Sequence, residues 1–168
     1  MALLIFLRMR PTIILKRRVA NVTEQALERF AARACRITGL RGRVTVLVTS
    51  SREIRALNAR FRDEKHATDV LSFPAPPFSD GFAGDIAVSV DIAARNARQL
   101  GHSTGDEIRI LILHGILHLA GYDHERDRGE MAEKERLLRC RLRLPAALIE
   151  RASDARRPSK MSRTRPRV

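Results

Sequence analysis

The stretch TGDEIRILILHGILHLAG (104–121) decides how the rest of the chain must be arranged. Thr104 and Glu107 have the spacing of a capping box, which satisfies free backbone N–H groups in the first helical turn. Gly121 stands where a left-handed residue commonly closes a helix. Between them Ile108, Ile110, Leu111, Ile112, Leu113, Ile116, Leu117 and Leu119 surround the axis with apolar groups. A helix that is apolar on every side belongs in the middle of a core. It is too short to be a membrane span, which needs ~20 apolar residues, and it carries two histidines. The other elements must pack around it.

Those elements alternate in type. PTIILKR (11–17) has the composition of a strand. A helix opening at Asn21, with Glu24 as its capping-box partner, carries Val22, Ala26, Phe30, Ala34 and Ile37 on one stripe and stops at Gly39. RVTVLVTS (43–50) alternates valine with threonine, the period of a strand with one buried face. SREIRALNARFR (51–62) reads as a helix with Ile54, Leu57, Asn58 and Phe61 on one side. TDVLSFP (68–74) and GDIAVSV (84–90) read as strands joined by a Pro-rich loop. DIAARNARQLG (91–101) is a helix capped by Asp91, and DRGEMAEKERLLRCRL (127–142) is a last amphipathic helix capped by Asp127. Its Glu130/Lys134 and Glu135/Arg139 have i,i+4 spacing. Strands interleaved with helices predict a single α/β (α+β) domain over 10–150, with a small mixed sheet of about four strands. Strand order is not local information and stays open.

Length and composition suit one domain: 168 residues, 44% of them hydrophobic. Cys35 and Cys140 are too few for a disulfide scaffold and read as small hydrophobes in a reducing compartment. Residues 1–9 contain a short apolar run without the flanks of a signal peptide, and read as an extension outside the domain, with Met9 as an alternative start. The expectation is a soluble, cytoplasmic protein with no membrane partner. Formal net charge is +13, of which 151–168, with seven Lys/Arg against one acid, carry +6. That segment reads as a disordered basic tail. The body without it is still basic, which points to polyanions such as nucleic acid. An arginine-rich genome would give the same surplus.

Chemistry concentrates in HGILHLAGYDH (114–124). Four residues apart on a helix, His114 and His118 lie ~40° apart around the axis and ~6 Å apart along it, so both imidazoles can reach one ion. Gly121 turns the chain back and brings His124 toward the same point. Three protein ligands leave one tetrahedral position open, the pattern of a catalytic rather than a structural zinc site. His66 and His102 lie outside the cluster and read as surface or supporting residues.

The stretch closely resembles the H-G-x-L-H-L-x-G-Y-D-H signature of the YbeY family, the bacterial rRNA maturation factors regarded as zinc-dependent endoribonucleases. LNARFRDEKHATDVLSFP (57–74) resembles the family's L-N-x-x-[YF]-R…T-[DN]-V-L-S-F-P segment, and GDIAVSV its G-D-I segment. Together they cover roughly residues 10–145. The resemblance implies one zinc ion held by His114, His118 and His124, with His114 and Arg62 as catalytic residues. It implies an α/β layer with the metal helix beneath a small sheet. It also implies a single-strand-specific endonuclease that matures the 3′ end of small-subunit rRNA, acts in ribosome quality control, and has rRNA and the small subunit as partners.

Many zinc hydrolases place a glutamate after the first histidine; here Gly115 stands there. Peptide hydrolysis needs that carboxylate. RNA cleavage asks for less, because zinc makes water ionise near pH ~7 and an arginine can grip phosphate oxygens. Gly115 itself reads as a site of close packing. Asp123 either orients a ligand imidazole as a supporting acceptor or caps the following helix. Asp69 and Asp85 could face the site or serve turns. Two rival readings accompany the nuclease: a non-catalytic ribosome-assembly factor stabilised by zinc, and a metalloprotease-like hydrolase, which Gly115 weakens.

Overall fold

A computed structural model describes residues 10–77, 79–124 and 126–145. The expected extension (1–9) and tail (151–168) lie outside the described residues. The elements run β1 (Thr12–Leu15), α1 (Glu24–Thr38), β2 (Arg43–Thr49), α2 (Ser51–Arg62), β3 (Val70–Pro74), β4 (Phe82–Ser89), α3 (Val90–Leu100), α4 (Thr104–Leu119) and α5 (Glu130–Leu142). The protein is a mixed α/β single domain, with a four-stranded sheet and five helices among the described residues.

Strand order is β1-β2-β4-β3. β1 and β4 flank β2 in parallel, and β3 pairs antiparallel to β4, with Ser72 opposite Ile86. Period-two alternation sends Val44, Val46, Val48, Ile86 and Val88 to one face, where all are fully buried with α1, α4 and α5 in the main core. Leu47, Leu71, Phe73 and Ala87 face the opposite side, where Ile54 and Leu57 of α2 cover them. α4 sits against both β3 and β4, with α1, α3 and α5 around it. Ile108, Ile112, Leu113, Ile116 and Leu117 have no exposure, as an all-round apolar helix requires. Among the described residues no helix is long and apolar enough to cross a membrane.

Several ends differ from the sequence expectation. Asn21 has a positive φ of 60° and lies outside the helix it was expected to open. Thr23 is the N-cap, accepting from Ala26 N, while Glu24 accepts from Leu15 N instead of closing a capping box. Ser89 rather than Asp91 caps α3, and Ser103 rather than Thr104 caps α4, paired with Asp106. In each case an adjacent hydroxyl reaches the free N–H from the extended conformation a cap needs. Glu107, freed from capping, is buried and meets His102 Nε2 at 2.6 Å. α5 begins at Glu130, three residues later than expected. Asp127 still accepts from Met131 N, from outside the helix. Glu130 accepts from Arg128 N, whereas Arg139 does bond Glu135.

Candidate metal centre

The last turns of α4 hold the centre, and the C-terminal end of that helix sets its shape. Gly121 N bonds His118 O, and Tyr122 N bonds Leu117 O at 3.1 Å. These are the two bonds of a Schellman closure, with Gly121 at φ +93° as its left-handed residue. The chain therefore reverses at once and returns His124 to the histidines it has just left. The ring centroids of His114, His118 and His124 lie 4.8, 5.0 and 5.3 Å apart in pairs. One ligand atom from each lies within 4.8 Å of the others. Among the described residues no cysteine or carboxylate joins this group.

The protonation pattern inside the cluster follows from what surrounds it. His114 Nδ1 lies 2.8 Å from Glu135 Oε2. Burial pushes the Glu135 carboxyl up, but the bond from His114 and the Arg139 charge outweigh it and leave its pKa below the ordinary value. An ionised carboxylate can only accept, so Nδ1 carries the proton, and in the neutral ring Nε2 of His114 is then the acceptor nitrogen. His118 is likewise bonded to the Tyr122 backbone. Burial first, then His114 and His124, lower its pKa against Asp123 and that backbone bond, so its neutral form is favoured. Nε2 of His118 faces Nε2 of His114 at 3.1 Å. Two nitrogens sharing a tetrahedral zinc at ~2.05 Å would stand ~3.3 Å apart. Three ring nitrogens converging at this spacing fit a cation.

Above the histidines opens a cleft of about 540 Å3, walled on the far side by Thr68 and Asp69, which precede β3, and by Ser72 within it. Arg62, the final residue of α2, also lines it. Its Nη2 donates to Ser72 O at 3.2 Å, which holds the guanidinium at the rim; among the described residues its other N–H groups meet no acceptor. Asp123 lines the same cleft, with Oδ2 3.4 Å from Arg126 Nε, and its charge acts on His118. It does not cap α5, whose N-cap is Gly129. Asp69 is a cleft residue that also accepts from Val70 N, whereas Asp85 lies across the sheet beside Phe73 and Leu57. His66 is exposed beside Glu64, and His102 is buried against Glu107, so neither joins the cluster.

Gly115 shows why a glutamate has no place there. A Cβ on it would lie 2.8 Å from Ile86 Cγ2 and 3.0 Å from Ser72 Oγ. The glycine lets α4 close onto β3 and β4, which sets the histidines beneath the β3 edge.

Sequence reasoning missed Glu135. Its only assigned role was an i,i+4 pair with Arg139. A signal was present: Met131, Glu135, Leu138 and Leu142 form one helical stripe, and the other three are buried. A carboxylate on such a stripe needs a buried partner. The partner here is a candidate metal ligand.

These features define a class: α/β proteins in which a buried helix and the turn that follows it present three imidazoles to an open cleft. Comparison with known proteins narrows it. The family model described as endoribonuclease YbeY matches residues 9–143. A Koribacter versatilis protein of that name is 60% identical over 141 residues, covering 84% of this chain and 91% of its own. One from Solibacter usitatus is 44% identical over 143 residues, covering 85% and 95%. The solution structure of a Thermotoga maritima protein superposes with a TM-score of 0.57 at 30% identity, over 94% of this chain and 99% of that one. The chain belongs to the YbeY endoribonuclease family.

Proposed function

We propose that the protein is a zinc-dependent endoribonuclease that cleaves single-stranded regions of rRNA precursors. The proposed biological steps are maturation of the small-subunit 3′ end and ribosome quality control, in the cytoplasm, with the small subunit as partner. The observation that carries the reading is the approach of His114 Nε2 and His118 Nε2 to 3.1 Å, with His124 beside them, under a cleft rimmed by Arg62. Family membership supplies the substrate class.

Bound zinc supplies a Lewis acid beside which water ionises near pH ~7. The chain's own groups do the rest. Glu135 fixes the His114 tautomer with Nε2 as the acceptor nitrogen. Arg62, anchored on Ser72 O, offers donors to two oxygens of one phosphate and stabilises the charge that builds as the phosphodiester is attacked. A cleft bounded by the β3 edge on one side and the histidines on the other suits a flexible strand better than a duplex.

The test is an RNA cleavage assay on highly purified protein, wild type beside His114→Ala and Arg62→Glu. Both variants should lose at least a hundredfold in rate, the scale of removing one stabiliser of transition-state charge. If both cleave as well as wild type, the activity is a contaminant and the enzyme reading fails. RNA binding that persists with no cleavage by any form would favour the zinc-stabilised assembly factor.

A further inference from the structure

A second concave surface lies on α1, away from the cleft and sharing no residue with it. It is a groove of about 490 Å3, lined chiefly by Arg10, Gln25, Arg29, Arg33 and Arg36, with Glu28 as its single acid. Gln25, Arg29, Arg33 and Arg36 are spaced four, four and three residues apart, so they form one stripe along the helix. The three arginines of that stripe are exposed. Arg29 and Arg36 have no carboxylate within ion-pair distance among the described residues, and Arg10, its side chain largely in water, meets half-buried Glu28 only at 3.8 Å. Arg33 Nη2 donates to Arg141 O at 3.0 Å, which orients its guanidinium and ties α1 to the end of α5.

Like charges three and four residues apart oppose helix formation. A row of them along one groove suits a partner that is itself a row of negative charges. Arg29, Arg33 and Arg36 succeed one another at ~6 and ~4.5 Å along the axis, so an extended polyanion can meet them in turn. The groove also has a fixed relation to the centre. α5 carries Glu135, bonded to His114, and Arg141, bonded to Arg33, and these lie six residues or ~9 Å apart along the helix.

We infer that this groove is a second RNA site, which grips the sugar–phosphate backbone of a strand whose other part lies in the histidine cleft. It rests on the nuclease reading and adds a consequence: long substrates are held at two places and short ones at one. Binding here is electrostatic and independent of sequence.

The experiment uses the full chain loaded with zinc, wild type beside Arg29→Glu/Arg36→Glu, with Arg29→Gln/Arg36→Gln should the reversal disturb folding and Arg29→Lys/Arg36→Lys as the charge-preserving control. Affinity for a long oligouridylate, its integrity checked by gel, is measured across a range of salt. Loss of two phosphate contacts should lower the slope of log K against log salt by about 1.4. The lysine variant should keep the wild-type slope. Cleavage of a substrate short enough to fit the cleft alone should be unchanged, and cleavage of a long one should fall severalfold through KM. An unchanged slope in a folded Glu or Gln variant overturns the proposal. An unchanged RNA slope with lost binding to phosphatidylglycerol vesicles also overturns it, assigning the groove to a membrane surface. If wild type cleaves nothing, the nuclease reading fails, and the salt slope still decides whether the groove holds RNA.

Discussion

Removing the Glu135 carboxylate should weaken zinc binding without touching a ligand. Its side chain is 12% exposed and that of His114 26%, so the 2.8 Å bond between them is only partly screened by water. Acceptors behind a metal-bound histidine are worth about 10–100-fold in metal affinity, or ~1.4–2.7 kcal/mol. The range for a hydrogen bond to a charged group, ~1.5–3 kcal/mol, agrees. Glu135→Ala also strands Arg139, whose side chain is 15% exposed and whose Nε already lacks a partner among the described residues, so the metal-free fold will weaken too. Glu135→Gln separates the effects. It keeps the volume, but its amide nitrogen must face either the His114 N–H or Arg139, a donor against donors. We expect Glu135→Gln to lose at least tenfold in zinc affinity, measured by competition with a chromophoric chelator. Urea melts of the metal-free protein should show a smaller stability loss than for Glu135→Ala. A folded Glu135→Gln protein with wild-type zinc affinity would refute the idea that this carboxylate sets the His114 tautomer.

Three further outcomes follow from other parts of the fold. Gly115→Ala gains ~1 kcal/mol of helix propensity, but its methyl meets fully buried Ile86 and Ser72, and overpacking costs ~1–3 kcal/mol; its melting temperature should fall, and adding Ile86→Val should recover part of the loss. Cys35 is buried, which raises its thiol pKa to about 11, so maleimide at pH 8 should label exposed Cys140 and spare Cys35 until the protein unfolds; equal labelling of both in the native state would contradict this. Bonds from Lys16 and Thr49 hold the Glu53 carboxyl below its ordinary pKa, so its contribution is full above the unfolded value and is lost as pH falls through the folded one; Glu53→Gln should destabilise at neutral pH, with the gap to wild type closing in acid.

What could be read from the sequence followed the range of the forces involved. α4 was legible because its apolar residues leave no polar face, and Gly121 because a tight reversal favours a residue without Cβ. The histidine cluster was legible because helix geometry and one turn bring all three rings together within eleven residues. The caps at Ser89 and Ser103 were missed because neighbouring Asp and Thr side chains are chemically as suitable, and only backbone geometry separates them. Glu107 was read as a capping residue, although it stands in a helix with no polar face, where a carboxylate implies a buried partner such as His102. Glu135 was missed because its partner lies 21 residues away on another helix, and the order of the strands because their pairing is equally non-local. The anchoring of Arg62 on Ser72 O required the structure: the match of motifs names the residue, and only the sheet edge shows what holds it.

The most direct measurement is a metal titration of the stripped protein, following cleavage of single-stranded RNA and bound zinc in the same sample. Cleavage should be absent at the start, rise in proportion to bound zinc, and level off at one ion per chain, while His124→Ala should neither hold the ion tightly nor cleave. Cleavage by the fully stripped protein, or wild-type cleavage by a His124→Ala chain that holds no zinc, would contradict the account.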